Sequence, residues 1–424
     1  MKDARSREAS TGIGIDLASG MKRLLAAMVS ISLAAALAAP ACADAAEAAA
    51  HRLQEGVDGL LFDCPESQRA ALPAAMASYL RELGIDRSLV VQTRHPDGTL
   101  SFRLDTPPSE TDTLTLARRL QLQTERVALP VPGRGKRFVR TVSRQEILLA
   151  LMQHDRQTRF SGAACDFAAL REHVALRQNI VSWIEQLDWT WPEGQRARWN
   201  PRYWTRGLPR QPDRLEEALR DAFVHQSRYA IGCYTAAKLS FAHGTLDFYR
   251  RRLKSAEKAG LVSDRLLHDG NPLAGIEPAA TWDFEPDFDP VRREEGGKLL
   301  GIERGVAPRN FVPGDWAYLL NTDQVSRRKT GYEGSNAIYL GRGRFADFYD
   351  DHQHGYSYRE KLDEVYQWRH GVFSRSRDGA LAIPLDAADY ERLGATPGEG
   401  GLLLDFRLTP LLFGFGPAGA PDGR

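Results

Sequence analysis

The sequence is short of cysteine, of net charge and of long apolar runs, and each shortage removes a class of function. Four cysteines occur in 424 residues, at positions 42, 64, 165 and 233, and no two have metal-site spacing. Lys and Arg (56) and Asp and Glu (55) balance to a formal net charge of +1, which gives no electrostatic case for nucleic acid. One apolar run stands out, Leu24 to Ala39, and no other is long enough to cross a bilayer. No internal repeat is present, which argues against a repeat architecture. What the chain does have is aromatic residues, eight tryptophans among them, enough for a real core rather than disorder.

Residues 21–43 have the pattern of a signal peptide. Met21-Lys22-Arg23 supplies the positive start, the run from Leu24 the apolar centre, and Ala41-Cys42-Ala43 a small-x-small cleavage site before Asp44. The first 20 residues fit no targeting pattern and are expected to be a non-native extension, with Met21 as the start. The mature protein is expected to be exported, periplasmic or secreted, with no membrane span after cleavage. About 380 residues then remain, enough for one large domain or two ordinary ones.

The mature chain divides by pattern into 44–195 and 196–416, with a loose tail at 417–424. In the first part, Gln68 to Leu83 has helical spacing. His95-Pro96-Asp97-Gly98 between Leu89-Val91 and Leu100-Leu104 signals a hairpin. Ser143-x-x-Glu146 has the form of a capping box, and Asp166 to Leu187 reads as a long amphipathic helix. Trp189 to Pro212 reads as a linker or structured loop. Asp213-x-x-Glu216 opens a helix to about His225, and a second helix runs from Cys233 to about Leu253. Residues 254–308 are polar and predict a long irregular excursion. Strand-like runs follow at Trp316–Leu320 and 337–340, then a helix at Tyr358–Trp368 and late strands at 402–404 and 411–415.

With Cys42 cut away, three cysteines remain, and in an oxidising compartment two can pair. Cys64 and Cys165 are the expected pair, closing a loop of about a hundred residues for about 2–4 kcal/mol. Cys233 is left over, directly after Gly232 at the predicted start of a helix. A helix N-terminus carries partial positive charge and main-chain N–H groups, which favour a thiolate and can also hold an oxyanion. A nucleophilic thiolate needs an imidazole partner. His352 and His354, in Asp350-Asp351-His352-Gln353-His354-Gly355, are the candidates. A cysteine at a helix start with a histidine near a later strand is the papain-like layout. The same stretch also has metal-ligand residue types, but no ligand from a third element accompanies them.

Five motifs, in order, resemble the spore-coat type of bacterial protein-glutamine gamma-glutamyltransferases, a calcium-independent transglutaminase family. They are Asn200-Pro201-Arg202-Tyr203-Trp204; Ala218 to Phe223 with Ser227-Arg228-Tyr229-Ala230; Cys233 with Thr235-Ala236; Phe311-Val312-Pro313-Gly314-Asp315 with Asn336 to Gly341; and His354-Gly355 with Arg359. The match covers about 199–370. It implies an α+β fold: a papain-like catalytic domain, its nucleophile at a helix start packed on an antiparallel sheet, preceded by a mixed helical and hairpin region. It also implies a Cys233 nucleophile, a His354 imidazole with His352 in reserve, and no cofactor. The substrates implied are proteins bearing glutamine and lysine.

Two departures matter. The family has a Glu directly before its cysteine and another before the strand Asn; here these positions hold Gly232 and Ser335. Glu333, two residues earlier along a strand and so on the same side as Ser335, is the candidate replacement. Alternatively, Asn336 orients the histidine through its amide. The implied reaction joins glutamine side chains to amines through a Cys233 thioester, with deamidation when water intervenes. A papain-like cell-wall peptidase or amidase, and a non-catalytic envelope protein on the same scaffold, are the rival readings. Nothing in the sequence indicates the oligomeric state.

Overall fold

A computed structural model of the chain describes residues 58–107, 113–131, 133, 135–154, 156–161, 165–268, 301–303, 310–350, 355–373 and 381–409. The expected signal peptide with Cys42, the acidic part of the excursion, the run at 411–415, the tail, and both His352 and His354 lie outside the described residues.

The run Gly-Leu-Leu-Phe at 59–62 does not alternate, because the strand it forms, β1 (Gly59–Asp63), is covered on both faces. It pairs antiparallel with β3 (Leu100–Leu104) and parallel with β6 (Gln157–Ser161); β2 (Val90–Arg94) completes the order β2-β3-β1-β6. The β2–β3 hairpin has its turn where Asp97 and Gly98 place it, with Thr99 N donating to Asp97 Oδ1 at 2.8 Å. Phe62 stacks on Phe160 (ring centroids 4.9 Å apart) and meets Phe102 edge-on. Helix α1 (Leu72–Glu82) buries Leu72, Met76, Tyr79 and Leu80. Cys64 and Cys165 are bonded, their Cα atoms 5.3 Å apart. A hairpin not apparent in the sequence, β4 (Glu125–Val131) with β5 (Gly135–Thr141), follows. Helix α2 (Arg144–Leu151) comes next.

The cysteine helix sits at the centre. Helix α3 (Phe167–Ile184), capped by Asp166, packs along α5 (Cys233–Asp247); α4 (Leu215–Val224) lies on another side of α5. Every residue of α5 from Thr235 to Leu246 is buried, so its sequence carries no polar face. The two long helices cross at Gly244, where a Cβ would lie 2.8 Å from Ile180 Cα; only glycine permits this approach. Asn179 Nδ2 donates to Gly244 O (2.7 Å), and Asn179, Trp183 and Arg251 all donate to Asp247. One hydrophobic cluster runs from Leu60 to Tyr349, so the core is continuous across residue 195.

A short pair, β7 (Trp204–Thr205) and β8 (Leu208–Pro209), precedes α4. The second large sheet has the order β13-β12-β11-β10-β14-β9, from β9 (Gly301–Glu303), β10 (Trp316–Leu320), β11 (Gly334–Gly341), β12 (Arg344–Phe345), β13 (Tyr356–Ser357) and β14 (Leu403–Thr409). All its pairings are antiparallel. Helix α6 (Tyr358–Gln367) follows β13 with a complete capping box, Ser357 and Glu360. Among the described residues no helix is long and apolar enough to cross a membrane.

Three local expectations change. The polar stretch after residue 254 opens with a helix, Ala256–His268, which buries Ala259 and Val262 and is otherwise too polar to read. Asp213 does not cap α4; it lies in the 3₁₀ turn Pro212–Arg214, and the N-cap, Arg214, makes no side-chain cap bond. The box at Ser143 is half formed: Ser143 Oγ accepts from Glu146 N at 3.1 Å, but the Glu146 carboxylate reaches across the molecule instead, to the β11–β12 turn.

Candidate active site

The segment that presents Cys233 is pinned before its helix begins. Arg198 and Ala230 exchange main-chain hydrogen bonds of 2.8 and 3.0 Å, and Ile231 N donates to Thr190 O at 3.2 Å. Asp221 gathers the surrounding motif residues: Asn200 Nδ2 donates to it at 2.7 Å, Tyr229 OH at 2.6 Å, and His225 Nδ1 lies 2.7 Å away. Trp204 Nε1 donates to Tyr229 OH at 3.1 Å. Burial and the Asp221 carboxylate push the Tyr229 phenol above its ordinary range. These residues therefore form the frame that delivers the cysteine. Trp204 and Trp316 are both fully buried in the core.

Gly232 is the N-cap of α5, extended (φ −75°, ψ 164°) and without a side chain to occupy the helix end. Cys233 follows as the first helical residue, half-buried and outside the disulfide. Its sulfur faces β11. Asn336 N lies 3.4 Å from Sγ and Asn336 Nδ2 3.5 Å, both as donors; Gly334 O is 3.9 Å away. Asn336 Oδ1 accepts from Trp316 Nε1 at 3.0 Å. Gly334 is small for a reason: a Cβ there would meet the Tyr318 ring at 2.5 Å. Burial, then the negative charges of Cys233 and Glu333, pushes the Tyr318 phenol up to about 12.

A pocket opens beside the sulfur. Its lining includes Trp191, Tyr332, Phe348, Tyr349, Trp368 and Phe373, with Asp347 and Lys361 as its charged groups. Asp347 is buried, and its Oδ1 accepts from Tyr349 N at 3.3 Å. Lys361 is buried too; it pairs with Glu364 and lies 4.2 Å from the Tyr356 ring centroid. The aromatic walls suit an alkyl chain, and the sulfur at their edge suits attack on a carbonyl carbon held there.

Glu333 is exposed, and its carboxylate accepts from Gly331 N at 2.9 Å, within its own turn. The structure brings Asn336 onto the sulfur. Asp347 does not stand out in the sequence, since an Asp in Ala-Asp-Phe looks like any solvated carboxylate; its one signal is its place in an apolar run, Phe345 to Tyr349. His243, on α5, is held neutral by burial, its pKa down to about 4, and packs between Trp183 and Phe223 rather than at the sulfur.

The hairpin that carries Asn336 and leads to Asp347 is clasped at its far end. Glu146 Oε1 accepts from Arg342 N at 2.6 Å, in the tight turn Gly341–Gly343. Burial pushes the Glu146 carboxyl up to about 7, against the opposing pull of Arg342 and Arg344. A raised carboxyl favours folding as the neutral acid. Its contribution is complete below the ordinary value of 4.5 and is lost as pH rises through about 7. The difference corresponds to about 3 kcal/mol. Urea unfolding at pH 5 and pH 8 should therefore show Glu146→Gln losing about 2.5 kcal/mol less than the wild type over that interval; equal losses would mean that Glu146 stays ionised throughout.

The family described as "TGL: Protein-glutamine gamma-glutamyltransferase" matches residues 134–361, more than half of the chain. No curated protein matches. Among solved structures, the chain is similar to a transglutaminase from Geobacillus stearothermophilus lacking its C-terminal extension. The identity is 18%, over 56% of this chain and 91% of that one, with a TM-score of 0.34.

Proposed function

This chain belongs to the protein-glutamine gamma-glutamyltransferase family, a cysteine-dependent acyltransferase family with an α+β, papain-like fold, and from that premise we propose that Cys233 is its nucleophile in an exported, protein-cross-linking enzyme. The placement of the Cys233 sulfur carries the reading: it stands at the first turn of a buried helix, at the edge of an aromatic pocket, with two N–H donors on it.

The thiolate attacks the carboxamide carbon of a glutamine side chain. The C–N bond breaks, and ammonia leaves with a proton from His354; the carbon–sulfur bond that remains is a thioester. A lysine amine then attacks the same carbon, losing its proton to the imidazole, and the thiol is regenerated as the isopeptide forms. Water in the amine's place gives glutamate, so deamidation accompanies transfer. The aromatic walls favour the amine by holding its alkyl stem and keeping water out. Where the family has carboxylates, this chain has Gly232 and Ser335; Asp347, buried in the same pocket, supplies the site's carboxylate in preference to Glu333, whose oxygen is turned to Gly331. The Cys64–Cys165 bond supports an oxidising destination, in keeping with the cleavage pattern before Asp44.

The test is incubation of the purified protein with a glutamine-bearing protein and a labelled primary amine. Stoichiometric ammonia release with label incorporation is the expected outcome. Fragment release from peptide or muropeptide substrates, without ammonia, would replace this reading with a peptidase or amidase.

A further inference from the structure

The two donors on the Cys233 sulfur come from one residue, and its orientation is fixed by another. Trp316 Nε1 can only donate, so the Asn336 atom 3.0 Å from it is the amide oxygen. The amide nitrogen must then be the atom 3.5 Å from Sγ. Trp316 is fully buried, stacked on Phe241 of the cysteine helix with ring centroids 5.8 Å apart, and cannot swing away. Asn336 is itself buried, in β11, opposite Tyr318 of β10. Its main-chain N–H is directed at the sulfur at 3.4 Å rather than at a neighbouring strand. When the sulfur carries a proton, Gly334 O lies on its acceptor side at 3.9 Å.

We propose that Asn336 is a catalytic residue whose side-chain and main-chain N–H groups hold Cys233 as the thiolate, with Trp316 as the positioning residue that aims the amide. The assignment rests on Cys233 being the reacting thiol. Hydrogen bonds to the charged form of a group favour that form, and a buried donor aimed in advance costs nothing to orient when the charge appears. The same amide hydrogen lies beside the bond that forms, because the attacked carbon becomes attached to this sulfur.

The experiment reads the sulfur directly and needs no transfer activity. Iodoacetamide alkylation of the full chain is followed against pH at the Cys233 peptide by mass spectrometry. Other titratable groups lie around the sulfur, namely Tyr318 on β10 and Asp347 and Lys361 across the pocket, while Glu333 is turned to Gly331 N. All are kept in the variants, so the difference from wild type isolates the amide. For Asn336→Ala the midpoint is expected to rise by about one pH unit, so that alkylation at pH 7 falls roughly tenfold. For Asn336→Asp, which places a carboxylate oxygen against the sulfur, the rise is expected to be larger. The plateau rate at high pH should stay unchanged in both, because accessibility is not altered; a structural role would move the plateau instead. In the wild type alone, the native midpoint should lie below that of the same chain in denaturant. Midpoints unchanged by both substitutions, or a native midpoint no lower than the denatured one, overturn the proposal. A lowered midpoint in a protein that incorporates no amine leaves the proposal standing and removes the functional reading instead.

Discussion

Cys233→Ala should abolish incorporation of a labelled amine, with a loss of at least about a thousandfold, because covalent acyl transfer has no route without its nucleophile. The folded state should hardly change. The side chain is half-buried, and the helix it begins is held by contacts further along: Gly244 on Ile180, and Asp247 under Asn179, Trp183 and Arg251. Serine at the same position keeps the size but offers a poor nucleophile at neutral pH, and should recover little. His354→Ala should lose labelling with Cys233→Ala, whereas His352→Ala should retain it; the reverse would exchange the two roles. Full labelling by Cys233→Ala would refute the mechanism outright.

The second large effect falls on stability rather than chemistry. Asp315, at the end of the Phe311–Asp315 motif, has no exposed surface, and two buried arginines converge on it. Arg156 donates at 2.7 and 3.3 Å, Arg177 at 2.8 Å, and Val312 N at 3.0 Å. Arg156 also donates to Asn310 O and Arg177 to Pro313 O, so both strap the strand entry to the first part of the chain. Asp315→Ala leaves both guanidinium groups buried without the counter-charge, which should cost about 3–5 kcal/mol. That is a large share of the 5–15 kcal/mol by which folded proteins usually exceed the unfolded state. Asp315→Asn keeps an acceptor and should cost less. Urea denaturation measures both. A loss under about 1 kcal/mol for the alanine variant would mean that water or a new partner reaches the arginines.

Some of this was legible in residues alone. The β2–β3 hairpin announced itself through Asp97-Gly98, helix α3 through its apolar spacing, and Cys233 through its place after Gly232 with two cysteines left to bond each other. The motifs around it were legible as a pattern, but their meaning changed. Asn200, Tyr229 and Asp315 turn out to brace the site, which no spacing reveals. Strand β1 escaped because burial on both faces erases alternation, and α5 has no amphipathic signal for the same reason. Glu146 reads as a capping residue because its neighbours in sequence allow that; only the fold places Arg342 N closer. Asn336 and Cys233 are 103 positions apart, and the sheet register that brings the amide to the sulfur is a property of the assembled strands.

The Gly244–Ile180 crossing has a consequence for anyone who would trim this protein. Helix α3 ends eleven residues short of position 195 and forms one wall of the helix that bears the thiol. A shortened version beginning after that point would present a flank of bare hydrocarbon to solvent, together with a carboxylate at Asp247 stripped of its Asn179 and Trp183 donors. The segment that ends before position 195 is thus not a detachable appendage but the opposing wall of the helix that carries Cys233.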